Sequence, residues 1–342
     1  MGLATDNLDI IPDYKKTPQE VYIDVAQAQI NSTQNLDVIT QSLWPLGHTP
    51  STTPRAKWIY SSNPSSLVEN LPSWLPNFSC TVAKNILFAQ RSIFSAGAEK
   101  CKCPVEIGPN GALTVTGIIL GAITIMKPIR KMAYSGGQHF SPWARDWMPD
   151  GLADPNSEDK SYVTGGNVFE AYWRTLMTDC LAHPSRRLSQ EDLKEYTETF
   201  NEWRQKTYLL PLSDPELGQY DKYDGDEKLL YEMDKVASRT GISSLMHSWQ
   251  FAELHGGLYA MVPWEGGLYE DHKPSKIGDL VVTLDGGKVP LVLRERNNVG
   301  HYESGGVKWE VIGTAYAHGF MDGLASQWAR VGKLMKKDFD LI

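Results

Sequence analysis

The sequence predicts an α+β protein, with an antiparallel β-sheet or small barrel packed against a helical layer. Three observations point there. Helix-start signals followed by apolar residues at helical spacing fall near the N-terminus and through the middle of the chain. The last third carries a hairpin pattern, Gly278-Asp-Leu-Val-Val-Thr-Leu284, the turn Asp285-Gly-Gly287, and Val289-Pro-Leu-Val-Leu-Arg294. The two kinds of segment come in blocks, helical at 17–44 and 164–255 and β-rich at 57–127 and 258–318, within a single domain of 342 residues.

The elements follow in order. Thr17-Pro18-Gln19-Glu20 is a capping box with proline at the first helical position, and Val21, Val25, Ala28 and Ile30 continue at near-helical spacing. A short second helix is expected over Leu36 to Leu43, ended by Pro45 and Gly47, and a brief strand over Lys57 to Tyr60. Leu113 to Leu120 and Ala122 to Met126 are rich in β-branched residues and predict two strands with a bend at Gly121. Asn167-Val-Phe-Glu170 starts a helix carrying Tyr172, Trp173, Leu176 and Met177, and Ser189-Gln-Glu-Asp192 starts another that runs to about Leu210. Further helices are expected over Asp226 to Ser238 and Ile242 to His255. Strands then cover Leu258 to Val262, the hairpin, Val307 to Ile312 and Ala315 to His318, and a closing helix runs from Leu324 to Lys336 with its basic residues where the helix dipole favours them.

Composition excludes several classes of function. The chain is 41% apolar and 22% charged, enough to bury a large core. Its net charge of −8 and absence of Lys/Arg-rich runs argue against a nucleic-acid or anionic-membrane surface. The longest apolar stretch, Gly117 to Met126, is too short to span a bilayer, and the first residues lack the basic and apolar regions of a signal peptide, so a cytoplasmic protein without membrane insertion is expected. Cys80, Cys101, Cys103 and Cys180 make no disulfide framework, and Cys101-Lys-Cys103 lacks the second ligand pair that zinc needs, so no metal is expected. No nucleophile elbow, zinc-protease helix, phosphate loop or dinucleotide fingerprint occurs, and no cofactor is expected.

Near the C-terminus stands Gly313-Thr-Ala-Tyr316-Ala-His318-Gly319-Phe-Met321-Asp322-Gly323. With Ile11-Pro-Asp13-Tyr14, Glu20-Val-Tyr22, Leu71-Pro-Ser-Trp74-Leu-Pro, Glu170-Ala-Tyr-Trp173-Arg174-Thr-Leu and Val289-Pro-Leu-Val-Leu-Arg294, it resembles, in the same order, the C-terminal region of fungal heterokaryon-incompatibility-type proteins. The signatures of their N-terminal incompatibility domain, Ala-Leu-Ser-Tyr-Val-Trp-Gly and Ile-Asp-Ala-Leu-Cys-Ile-Asp-Gln, do not occur in these residues. Two carboxylates also differ, with Thr314 and Leu324 where the family pattern has Glu. Stand-alone proteins similar to this region include norbornene-forming Diels-Alderases of sordarin-type diterpenoid assembly. The resemblance therefore implies a cofactor-independent cyclase performing an intramolecular [4+2] cycloaddition on an apolar small molecule. The alternatives are a non-catalytic binding or regulatory module, and a non-redox dehydratase or isomerase using His318 and Asp322 as acid and base.

Such a cyclase needs apolar walls and a few hydrogen-bond donors rather than a nucleophile. Tyr134, His139, Tyr316 and His318 are the candidate donors. Trp143, Trp147 and Trp264 lie in Pro/Gly-rich loops and, with Trp173, are the candidate walls; loop tryptophans either cover a core or line a pocket. Arg294 is a candidate carboxylate ligand, or else pairs with Asp279 across the hairpin. His318 and Asp322 have plainer roles available too, satisfying backbone at a strand end and bracing the next helix.

Overall fold

The computed structural model describes residues 10, 13–41, 68, 70–76, 78, 91–108, 111–127, 146–156, 160–182, 185–208, 227–240, 249–264, 274–296 and 306–342. Helix α1 spans Pro18–Thr33 and starts on the expected capping box: Glu20 N–H donates to Thr17 Oγ1 at 3.3 Å, and Thr17 N–H donates to Glu20 Oε2 at 2.7 Å. Strand β1 is Leu113–Met126, followed by α2 (Val168–Leu176), a small hairpin β2 (Cys180–Ala182) and β3 (Ser185–Arg187), then α3 (Gln190–Tyr208) and α4 (Glu227–Thr240). The rest is β4 (Trp249–Leu254), β5 (Leu258–Pro263), β6 (Leu280–Leu284), β7 (Leu291–Arg296), β8 (Lys308–Thr314), β9 (Tyr316–Ala317), α5 (Leu324–Arg330) and β10 (Lys336–Leu341).

The architecture is α+β, an eight-stranded and mostly antiparallel sheet covered by helices. The strand order is β10-β8-β7-β6-β1-β4-β5-β9, and β10 also pairs with β1. That extra pairing closes β1, β6, β7, β8 and β10 into a five-stranded barrel whose one parallel seam is β8 against β10. Strand β1 serves two sheets. Its first half, Leu113 to Ile118, pairs with β10, its middle with β6, and its end, Ile123 to Met126, with β4. It is continuous rather than broken at Gly121, because a register shift between Ile119 and Gly121 absorbs the bend. A Cβ at Gly121 would lie 2.9 Å from the His255 carbonyl oxygen, so glycine lets the strand pass that close to its neighbour.

Two hydrophobic cores result. One fills the barrel with Leu113, Val115, Val282, Leu293, Trp309, Val311 and Phe339 and is capped by Ala26 and Ile30 of α1. The other lies between β4, β5 and β9 and the helical layer, where Trp173 of α2 stacks on Phe200 of α3 with centroids 5.2 Å apart and planes 13° apart. Such a stack contributes about 1 kcal/mol beyond burial.

Several sequence expectations are corrected. Over Leu36 to Leu43 the described residues form only a 3₁₀ turn, Ile39–Gln41, because the Leu36 N–H donates to the Gly286 carbonyl of the barrel hairpin instead of continuing a helix. Within the expected helix Ile242 to His255, Trp249–Leu254 is strand β4, paired residue for residue with β5 around the turn at Gly256 and Gly257. Its almost unbroken buried run has no solvent face to display a period. The closing helix stops at Arg330, since Gly332 takes a left-handed φ of 73°, and Lys336–Leu341 then forms β10. The hairpin β2–β3 lies inside the segment expected to be helical. The expected strand at Lys57 to Tyr60 falls outside the described residues. Among the described residues no helix is long and apolar enough to cross a membrane.

Candidate functional site

The joint between β9 and α5 brings together two of the polar groups that the sequence singled out, Tyr316 and His318. Tyr316 opens strand β9, and His318 stands two residues on, in the turn that directly follows it. The His318 N–H donates to the Tyr259 carbonyl at 3.0 Å, and Gly319, at φ +82°, turns the chain away immediately afterwards. The Tyr316 hydroxyl lies 3.1 Å from Nδ1 of His318, and both side chains are buried, at 1% and 6% exposure. The surround is aromatic: Tyr162 tilts against His318 with centroids 5.4 Å apart, and Phe94 meets the Tyr316 ring edge-on at 6.4 Å. Tyr162 is itself fixed by accepting the Tyr259 N–H on its hydroxyl at 2.7 Å.

Behind this pair runs a chain of ion pairs. Helix α2 begins on Asn167, whose Oδ1 accepts the Glu170 N–H at 2.7 Å, and it ends in two successive left-handed residues, Thr178 at φ 49° and Asp179 at φ 55°. A β-branched residue in that region is strained, and strain of this kind persists where the surroundings over-determine the backbone. Here the turn folds Asp179 back beneath its own helix. Its Oδ1 accepts from Arg174 Nε at 2.8 Å, and its Oδ2 lies 3.1 Å from Arg187 Nη2. Strand pairing of Cys180 with Arg187 sets that second contact. Arg174 also donates to Glu170, Arg187 reaches Asp322 at 2.6 Å, and the Arg187 guanidinium sits 5.0 Å over the Phe94 ring.

Burial sets the protonation of the pair. His318 falls from the usual imidazole value to about 4, first through desolvation and then through the Arg174 guanidinium. Burial, reinforced by the Asp179 carboxylate, holds the Tyr316 hydroxyl well above its ordinary value. Both groups are therefore neutral near pH 7. In the tautomer that carries its proton on Nε2, Nδ1 accepts from the Tyr316 hydroxyl, and among the described residues no hydrogen-bond partner meets Nε2.

The other candidates separate. Asp322 is exposed and paired with Arg187, so it does not orient His318. Arg294 donates from Nε and Nη2 to the two oxygens of Asp279 at 2.9 and 2.8 Å, and Nη2 also reaches the Pro274 carbonyl. It is the pairing across the hairpin that the sequence offered as the alternative. Trp147 and Trp173 are core residues, at 1% and 0% exposure. Trp264 is half-buried just beyond β5. Tyr134, His139 and Trp143 lie outside the described residues. Sequence reasoning passed over Asp179 and Arg187, and only the helix-ending Thr-Asp pair hints at them, since the ion pairs join distant segments.

A groove of about 240 Å³ lies elsewhere, on the barrel wall, lined by Cys101, Lys102, Glu106, Thr116, Asp285 and Asp338 among others. Pro104, Val105 and Val115 share its lining with the charged Lys102, Glu106, Asp285 and Asp338. Among the described residues no three His, Cys, Asp or Glu side chains gather as a metal-binding set. No family model, no curated protein and no solved structure matches this chain.

Proposed function

We propose that the chain is a cofactor-independent natural-product cyclase that folds an apolar polyene and promotes its intramolecular [4+2] cycloaddition, forming a norbornene in a diterpenoid, and that it works in the cytoplasm. The carrying observation is the uncharged Tyr316–His318 pair, with the imidazole Nε2 free of any partner among the described residues. The sequence resemblance to the incompatibility-type C-terminal region supports the same reading. In this mechanism His318 Nε2–H donates to a dienophile carbonyl and draws electron density from the alkene. Two σ bonds form at the expense of two π bonds, no proton is transferred, and no atom is lost. Tyr316 holds the ring in the tautomer that donates. One aimed donor in a dry site is worth about 3 kcal/mol, or roughly a hundredfold in rate, and restriction of the substrate to a reactive conformer contributes further.

An acid–base dehydratase or isomerase fits less well. His318 takes up a proton only near pH 4, and Asp322 is engaged with Arg187. A docking module remains the second reading, favoured by Val331 and Met335, which stand 69% and 64% exposed on the link between α5 and β10.

The test is to incubate purified protein with a cyclopentadiene-bearing enal and compare its cyclisation with the spontaneous rate between pH 5 and pH 8. The cyclase reading expects acceleration that is flat across that range and falls about a hundredfold in His318→Ala. A rate equal to the spontaneous one with folded protein would sink it, and a bell-shaped profile would favour acid–base chemistry.

A further inference from the structure

We propose that Cys101 and Cys103 are a peroxide-oxidisable thiol pair that closes into a reversible disulfide on the barrel wall. The two sulfurs lie 3.4 Å apart, and the chain between them is the single residue Lys102. A disulfide needs a separation of about 2.0 Å, so the sulfurs must close by about 1.4 Å. The backbone on either side is anchored, so the proposed closure is a movement of the two side chains. The Cys101 N–H donates to the Gln34 carbonyl at the end of α1, and the Val105 N–H donates to Asn31 Oδ1 at 2.8 Å. On the hairpin side Gly286 packs so closely that a Cβ there would lie 2.8 Å from the Cys101 nitrogen. Cys103 is partly exposed, which gives a small oxidant a way to its sulfur.

The two thiols differ in access, and this sets the order of steps. Cys101 is buried, at 9% exposure, whereas Cys103 is intermediate. Burial and the neighbouring Cys103 push the Cys101 thiol up to about 12, so it stays protonated and serves as the resolving group. The Cys103 sulfur attacks one oxygen of a hydroperoxide and gives up its proton. The O–O bond breaks, hydroxide or alkoxide leaves and takes up a proton, and Cys103 becomes a sulfenic acid. Cys101 sulfur then attacks the sulfenic sulfur, and water leaves with the Cys101 proton. In sum two thiols and one hydroperoxide give one disulfide, one water, and a second water or an alcohol. A dithiol reverses the step by exchange. Cys180, the third free thiol among the described residues, is wholly buried in the other core and takes no part.

The experiment uses the full folded chain and hydrogen peroxide. Peroxide should lower the titratable thiol count by two, peptide mapping should place the bond within one peptide holding Cys101 and Cys103, and dithiothreitol should restore both thiols. In Cys101→Ser, Cys103 should stop at the sulfenic acid and be captured by dimedone. In Cys103→Ser, Cys101 should stay unmodified. Mapping the wild-type chain requires no variant, so poor folding of either serine protein leaves the test intact. The inference is overturned if both thiols survive peroxide that fully oxidises glutathione, if the bond joins a different pair, or if Cys101 is oxidised as readily in Cys103→Ser.

Discussion

The Tyr316 hydroxyl and Nδ1 of His318 sit 3.1 Å apart where the two-residue strand β9 enters its turn, and each supplies the other's side-chain hydrogen bond inside an aromatic enclosure. The charges of Arg174 in α2, Asp179 in the turn after it and Arg187 in β3 act on the pair. The pair is thus kept neutral by burial while its neighbours carry the charge.

A pH dependence of stability follows. His318 binds its proton at about 4 when folded and near the ordinary 6.5 when unfolded. Between those values the unfolded chain holds more protons than the native one, so this contribution is fully present above pH 6.5 and is lost as pH falls towards 4. The shift corresponds to about 3 kcal/mol. Glu253 and Asp285, whose carboxyls burial raises, act in the opposite sense. The informative comparison is therefore wild type against His318→Gln in urea unfolding from pH 4 to pH 8. The wild type should lose about 3 kcal/mol more than the variant across that window; parallel curves would show that His318 is not the buried neutral base described.

Removing the hydroxyl separates the two partners. Tyr316→Phe keeps the ring packed against Phe94 and leaves Nδ1 without its donor, which should cost about 1–2 kcal/mol. It also withdraws a hydrogen bond that favours neutral imidazole, so the His318 titration, followed by NMR, should move up from about 4 towards the usual value. An unmoved titration would mean that the hydroxyl does not donate to Nδ1.

Asp179 should be the costliest of the ion-pair residues. It is 4% exposed and serves Arg174 and Arg187 together, so Asp179→Ala leaves two guanidiniums short of a carboxylate. Both arginines retain some solvent, at 24% and 33% exposure, which lowers the expectation from the fully buried case to about 2–3 kcal/mol. Arg187→Met should cost less, because Asp179 keeps Arg174, and the double variant should cost less than the sum of the two. Strict additivity in denaturation midpoints would contradict the shared contact.

The fold was legible where the signal is local. Thr17 with Glu20, Asn167 with Glu170 and Ser189 with Asp192 all cap the helices they were expected to start, and the 280–294 hairpin pairs as its alternation and Gly-Gly turn demand. Strand β4 was not legible, because a run buried on both faces carries no period to distinguish it from a core helix. Strand β10 was available and missed. In Lys336-Lys-Asp-Phe-Asp-Leu341 the alternation puts Phe339 and Leu341 into the barrel core, while Asp338 and Asp340 accept hydrogen bonds from Thr116 and Thr114. Its lysines instead read as a helix end. At the candidate site Tyr316 and His318 were visible as a strand pair, whereas Asp179 and Arg187 reach it only through tertiary pairing that no local spacing encodes.

Gly319, directly after His318, tests whether the joint is as tightly built as its geometry implies. Its φ of +82° is left-handed, and an added Cβ would lie 2.3 Å from Thr164 Oγ1 and 2.6 Å from Thr164 Cβ. Gly319→Ala therefore combines backbone strain of about 1–2 kcal/mol with an overlap worth about 1–3 kcal/mol. Thr164→Gly removes only the overlap and, alone, should cost about 1 kcal/mol in chain entropy. The double variant should accordingly be less destabilised than the sum of the singles by roughly the overlap energy, with the left-handed strain remaining. Because the clash pushes on the residue directly after His318, Gly319→Ala should also loosen the Tyr316 contact and raise the His318 titration from about 4, with Thr164→Gly returning it part of the way. Simple additivity of the two substitutions, with an unchanged His318 titration, would show that the turn yields without disturbing the pair.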